Sequence, residues 1–106
     1  MSGMAESLRI DIWLWRARFM KTRGLAADLV EGGAVRLTHQ GRQTRLDKCS
    51  RVVHVGDEIT FALRGRVTAV RVEALGERRG PPEEARALYS SLGGPASSSE
   101  TPYAGR

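Results

Sequence analysis

RIDIWLWRARFMKTRGLAADLVEGG, residues Arg9 to Gly33, holds two helical repeats broken by one polar turn. In the first, Ile10, Leu14 and Ala17 recur at helical spacing, and the pattern predicts a helix up to Phe19 with Asp11 serving its N-terminus. The break falls at Met20–Lys21. Thr22 is an N-cap residue type, since its hydroxyl accepts an orphan amide of the following turn. Arg23–Glu31 then places Leu25, Ala26, Leu29 and Val30 on one helical face. Gly24 weakens this helix by roughly 1 kcal/mol relative to Ala, so tertiary packing has to hold it, and Gly32-Gly33 ends it. Trp13 and Trp15, two positions apart, cannot share a buried face; one belongs in the core, the other against the C-terminal helix or a base.

Beyond Gly33 the apolar period becomes two. Val35 and Leu37 alternate with Arg36 and Thr38 as a strand, followed by a polar turn over Thr38–Arg42. Residues 43–50 show no period and read as loop. Arg51–Val55 is a short strand, Gly56-Asp57 a turn, and Ile59, Phe61 and Leu63 a further strand. Arg64-Gly65-Arg66 makes a hairpin into Val67–Leu75. Pro82 opens a last helix with Glu83 and Glu84 at its positive pole and a stripe of Ala85, Leu88, Tyr89 and Leu92 that packs on the sheet. The expected fold is α+β: a two-helix unit on a small antiparallel sheet with a C-terminal helix, spanning residues 9–92. Residues 1–8 read as a flexible leader, and 93–106, rich in Gly, Ser and Pro, as a disordered tail.

Charge is concentrated in two places. Residues 9–23 carry Arg9, Arg16, Arg18, Lys21 and Arg23 against Asp11 alone, and residues 36–51 carry Arg36, Arg42, Arg45, Lys48 and Arg51 against Asp47 alone. The chain as a whole has a formal net charge of +5, which favours a polyanionic partner. Arginines converging on the N-terminus of a helix bind phosphate through charge-assisted hydrogen bonds. Catalytic patterns are missing: no nucleophile elbow, no phosphate-cradling glycine loop, no His-Glu-x-x-His. A lone Cys49 excludes an internal disulfide, and His39, Cys49 and His54 match no zinc spacing, so neither metal nor cofactor is expected. No apolar run is long enough to span a bilayer, and Met1–Ser7 lacks a signal core, so a cytoplasmic location is expected; a monomer is expected as well.

Arg9-Ile10-Asp11, Trp13-Leu14-Trp15, Ala17-Arg18-Phe19, Lys21-Thr22-Arg23, Ala26, Leu29 to Gly33 and Val35 together resemble the S4 RNA-binding domain, or αL motif, and Gly56-Asp57 with Ile59 is similar to that family's later turn. Trp13-Leu14-Trp15 and the segment Glu77-Arg78-Arg79 with Pro81 to Tyr89 resemble more closely the bacterial ribosome-associated fifteen-kilodalton heat-shock branch of that superfamily. The resemblance implies a non-enzymatic protein that binds structured ribosomal RNA through backbone and shape. It further implies a role on large subunits that still carry a nascent chain after premature dissociation. Carried over position by position, it implies RNA contacts at Arg9, Arg18, Lys21, Thr22 and Arg23, with Arg42 and Lys48 from the second basic stretch, while Asp11, Leu14, Leu29 and Val35 are structural. Two features depart from the family pattern: His39-Gln40-Gly41, in an expected longer loop, replaces an Asn-Gly turn, and a short neutral segment stands where relatives have a long basic tail. Two other readings compete: the RNA-binding fragment of a pseudouridine synthase-like enzyme, and a protein-interaction module using the Leu88–Leu92 stripe.

Overall fold

The computed structural model describes residues 6–63 and 65–92. Helices α1 (Ile10–Arg16) and α2 (Arg23–Glu31) contribute Ile10, Trp13, Leu14, Ala26 and Val30 to one apolar core. The opposing residues come from the inner face of a five-stranded antiparallel sheet. Its strands are β2 (Val35–His39), β3 (Arg42–Leu46), β5 (Glu58–Leu63), β6 (Arg66–Val72) and β7 (Tyr89–Ser91), in the order β3-β2-β5-β6-β7. Val35, Leu37, Ile59, Phe61, Val70 and Val72 point inward, as the period of two requires. Phe19 ties the layers, with its ring centroid 6.0 Å from Trp13, 5.1 Å from Phe61 and 4.6 Å from Tyr89. The α+β class expected from the sequence is the observed one.

Several elements differ from the sequence expectation, each for a physical reason. α1 stops at Arg16, three residues early, because the chain closes it with paired terminal bonds: Arg18 N–H to Trp15 O at 3.1 Å and Phe19 N–H to Leu14 O at 3.0 Å. Arg18 takes the left-handed position of this closure, φ 66°, where glycine is usual, and so turns Phe19 into the core. Arg42, read as the end of a turn, and residues 43–46, read as loop, form β3. It is an edge strand whose only buried side chain is Leu46, so nothing in its polar sequence alternates. The connection before it is a two-residue turn, not a longer loop: His39 pairs with Arg42, and Gln40 and Gly41 both take positive φ, 52° and 83°.

The leader reading fails at its end. Ser7–Arg9 form β1, which pairs with β4 (Val52–His54) in a separate two-stranded sheet, Leu8 opposite Val53. This pairing joins residues more than forty positions apart. The terminal helix α3 is only Pro82–Arg86; the chain then leaves it so that Tyr89–Ser91 cover the open edge of β6 as β7. Leu88 of the expected stripe is buried, but Leu92 is exposed. The tail reading for 93–106 lies outside the described residues, as does that for residues 1–5 of the leader.

Candidate nucleic-acid interface

Lys21, Thr22 and Arg23 meet at the α1–α2 turn, all three exposed. Thr22 is extended at φ −134°, ψ 159°, and its hydroxyl accepts the Leu25 N–H at 3.0 Å, which is the expected cap. That bond satisfies one amide of the first turn. The amides of Arg23 and Gly24 have no acceptor within the helix by its geometry, and they carry its positive pole. Gly24 leaves this pole open: a Cβ there would meet only Thr22 Oγ1, at 3.8 Å. The glycine that weakens the helix also lets an anion reach its amides. Among the described residues neither Lys21 nor Arg23 takes part in an ion pair. Beside the turn is a depression of about 500 Å³, lined by Lys21, Arg18 and the apolar Phe19, Met20, Leu25 and Leu63 among others.

Other arginines of the basic stretch already hold protein acceptors. Arg16 Nη1 donates to Gly76 O at 2.6 Å, and Arg18 Nε to Gly80 O at 2.7 Å. In return Arg79 Nε donates to Trp15 O at 3.1 Å, with its guanidinium 5.9 Å from the centroid of the Trp15 ring. Trp13 Nε1 adds a bond to Ala74 O at 2.9 Å. Residues 74–80 thus form a strap fastened across α1 and its C-terminal turn. Trp13 is the fully buried tryptophan, while Trp15 is partly exposed and covered by Arg79 from this strap rather than by α3.

Arg9 lies at the opposite end of α1 from the turn. Its guanidinium forks onto the buried Asp11, Nε to Oδ1 at 3.1 Å and Nη2 to Oδ2 at 3.0 Å, and this carboxylate holds Arg9 further toward its cationic form. Arg9 Nη2 also approaches Cys49 Sγ at 3.5 Å. The Cys49 thiol is pushed above its ordinary range by a hydrogen bond with Glu31 and by desolvation. Lys48, next to Cys49 in the loop after β3, therefore lies on the Arg9 side of the molecule, and Arg42 sits at the β2–β3 turn. The expected site residues fall into three places: Lys21, Thr22 and Arg23 with Arg18 at the interhelical turn, Arg9 and Lys48 near Cys49, and Arg42 at the hairpin tip.

Arg36 and Arg45, part of the second basic stretch but not among the expected contacts, are directly opposite each other on the outer face of β2 and β3. Both are exposed, and among the described residues neither is in an ion pair. Like charges in direct opposition cost stability unless an anion lies over them. The alternation of Arg36 with Val35 and Leu37 was a visible signal for one of them. Arg45 was hidden by the missing period of β3.

No family model matches the chain. It is 39% identical over 85 residues to Heat shock protein 15 of Escherichia coli, a match covering 80% of this chain and 60% of that protein. It is 36% identical over 87 residues to the Heat shock protein 15 homolog of Haemophilus influenzae, covering 81% of this chain and 63% of the other. The chain therefore spans about three-fifths of the length of these curated relatives. The trimeric structure of Vibrio cholerae Heat Shock Protein 15 superposes with a TM-score of 0.71 at 37% identity, over 82% of this chain and 83% of that one. These relatives are named as heat shock proteins and not for an enzymatic activity.

Proposed function

Because the chain belongs to the heat shock protein 15 family, we propose that it is a non-enzymatic RNA-binding protein of the αL type that associates with ribosomal RNA. Its proposed target is the large subunit carrying a stalled nascent chain. The observation that carries this reading is the pair of exposed cations Lys21 and Arg23, without ion-pair partners among the described residues, on either side of the Thr22-capped end of α2. A phosphate at that end would gain the helix pole, two amides and two side-chain charges at once. The depression beside Lys21 has room and apolar walls for one unstacked base, which suits loops and bulges of folded RNA. Arg36 and Arg45 supply a further backbone contact on the sheet, with Arg9, Arg42 and Lys48 at the margins.

The test is co-sedimentation with purified, separated ribosomal subunits at moderate salt. The protein is expected with the large subunit, more so when the subunit holds peptidyl-transfer RNA. Failure to sediment with either subunit, or with the small subunit alone, overturns the assignment. A monomer is part of the proposal, although the Vibrio cholerae relative was solved as a trimer; sedimentation of the free protein decides it.

A further inference from the structure

We infer that His39, His54 and Asp57 form a binding site for a divalent ion of the zinc class. The three residues come from different places, the end of β2, the end of β4 and the turn before β5. Folding brings one donor atom of each within 4.8 Å of the other two. Asp57 is nearly buried, its side chain 4% exposed. Its Oδ1 lies 2.5 Å from His39 Nδ1, and its Oδ2 accepts the His54 backbone N–H at 2.9 Å. The rings of His39 and His54 lie 4.9 Å apart, centroid to centroid.

A purely structural role explains part of this. Asp57 closes its own turn, and His39 gives the buried carboxylate a partner. Neither accounts for His54 Nδ1. That atom is buried, lies 3.5 Å from Asp57 Oδ2 outside hydrogen-bonding geometry, and has no hydrogen-bond partner. A buried nitrogen left unpaired costs stability. A metal ion seated between the three groups would take its lone pair.

The dimensions suit such an ion. Zinc bonds to His nitrogen and carboxylate oxygen of about 2.0–2.2 Å put neighbouring tetrahedral donors roughly 3.3 Å apart. The two His–Asp57 separations, 2.5 and 3.5 Å, lie on either side of that value, and the whole donor group falls within 4.8 Å, so the side chains would draw together around the ion. Two surface depressions, of about 370 and 400 Å³, meet at these same three residues and leave water free to complete the coordination. Arg51 lines one of them. A set of two imidazoles and one carboxylate favours zinc, cobalt or nickel over calcium or magnesium. Cys49 Sγ is approached instead by Arg9 Nη2, at 3.5 Å. The consequence is mechanical: β4 belongs to the small sheet and β2 to the large one, so the ion would clamp the two sheets together beside the Gln40-Gly41 turn.

The experiment is a calorimetric titration of the metal-free protein with zinc against a competing chelator, repeated with cobalt and followed in the visible. The parent is expected to bind one equivalent, to gain melting temperature, and to show cobalt bands without sulfur charge transfer. His39→Gln and His54→Gln should each lose at least about tenfold in affinity, while Cys49→Ser keeps it. Zinc-induced shifts of both imidazole resonances in the unaltered protein provide a readout that needs no variant to fold. Absence of a saturable equivalent, retention of affinity in either histidine variant, loss of it in Cys49→Ser, or unshifted imidazoles overturns the inference.

Discussion

Replacing Lys21 and Arg23 together by Ala should remove much of the affinity for folded ribosomal RNA and leave the fold untouched. Both side chains are exposed and, among the described residues, form no ion pair, so their loss strands no partner. Each would donate a charge-assisted bond to phosphate, about 1.5 kcal/mol at the low end of the charged range because both groups stay wet. The pair then amounts to about 3 kcal/mol, a loss of affinity on the order of 150-fold, with some shortfall because neighbouring contacts do not add fully. Two fewer neutralised phosphates should also flatten the plot of log K against log salt by about 1.4–1.8. The assay is a filter-binding or anisotropy titration at several salt concentrations on a structured ribosomal RNA fragment, with thermal unfolding run alongside. An affinity within about twofold of the parent, with its salt slope unchanged, refutes the placement of the phosphate site at the end of α2. A drop in melting temperature of several degrees would show that these side chains hold the fold instead.

Arg18 separates backbone from side chain: Arg18→Ala should lose about 1 kcal/mol through the missing bond to Gly80 O, whereas Arg18→Gly recovers a similar amount by relieving the φ of 66°, so chemical denaturation should rank glycine above alanine. If both variants match the parent in stability and weaken RNA binding, Arg18 belongs with the RNA contacts and not with the strap. Gln40→Asn should stabilise by roughly 0.5–1 kcal/mol, since asparagine adopts the left-handed first position of a two-residue hairpin turn more readily; an unchanged or lower melting temperature would count against that turn. For Cys49 the raised thiol pKa means less thiolate at any pH below it, so iodoacetamide should react more slowly at pH 8 than with an unperturbed cysteine and speed up as pH rises through the shifted value. Glu31→Gln should shift that rate profile to lower pH; an unmoved profile would rule out the Glu31 contact.

The two-helix unit was legible because its signals are local. Thr22 lies three residues before the amide it caps, and α2 occupies Arg23–Glu31, the range read from the sequence; of the apolar face read there, Ala26 and Val30 are buried while Leu25 is exposed. Inward-facing strand residues such as Val35, Leu37, Ile59 and Phe61 obeyed the same short-range rule. The end of α1 was not legible, because its closing residue is Arg18 where a glycine would have marked it. β3 was not legible either, because an edge strand exposed on nearly every residue has no pattern to show.

For the candidate site the division is similar. The clustering of Lys21, Thr22 and Arg23 followed from sequence order, since adjacent residues at a turn cannot be far apart. Which arginines are already occupied did not: Arg16 and Arg18 are held by carbonyls of residues 76 and 80, some sixty positions away. The opposition of Arg36 to Arg45 required a strand register, and the meeting of His39, His54 and Asp57 required two sheets to come together. The helical unit and the inward faces of the strands were therefore readable from periods and caps acting within a few residues, and the sign of the surface from composition. Closure of the core decided which polar groups distant in sequence find partners within the protein, because a hydrogen bond or ion pair depends on separations of about 3 Å between residues that only the folded chain brings together.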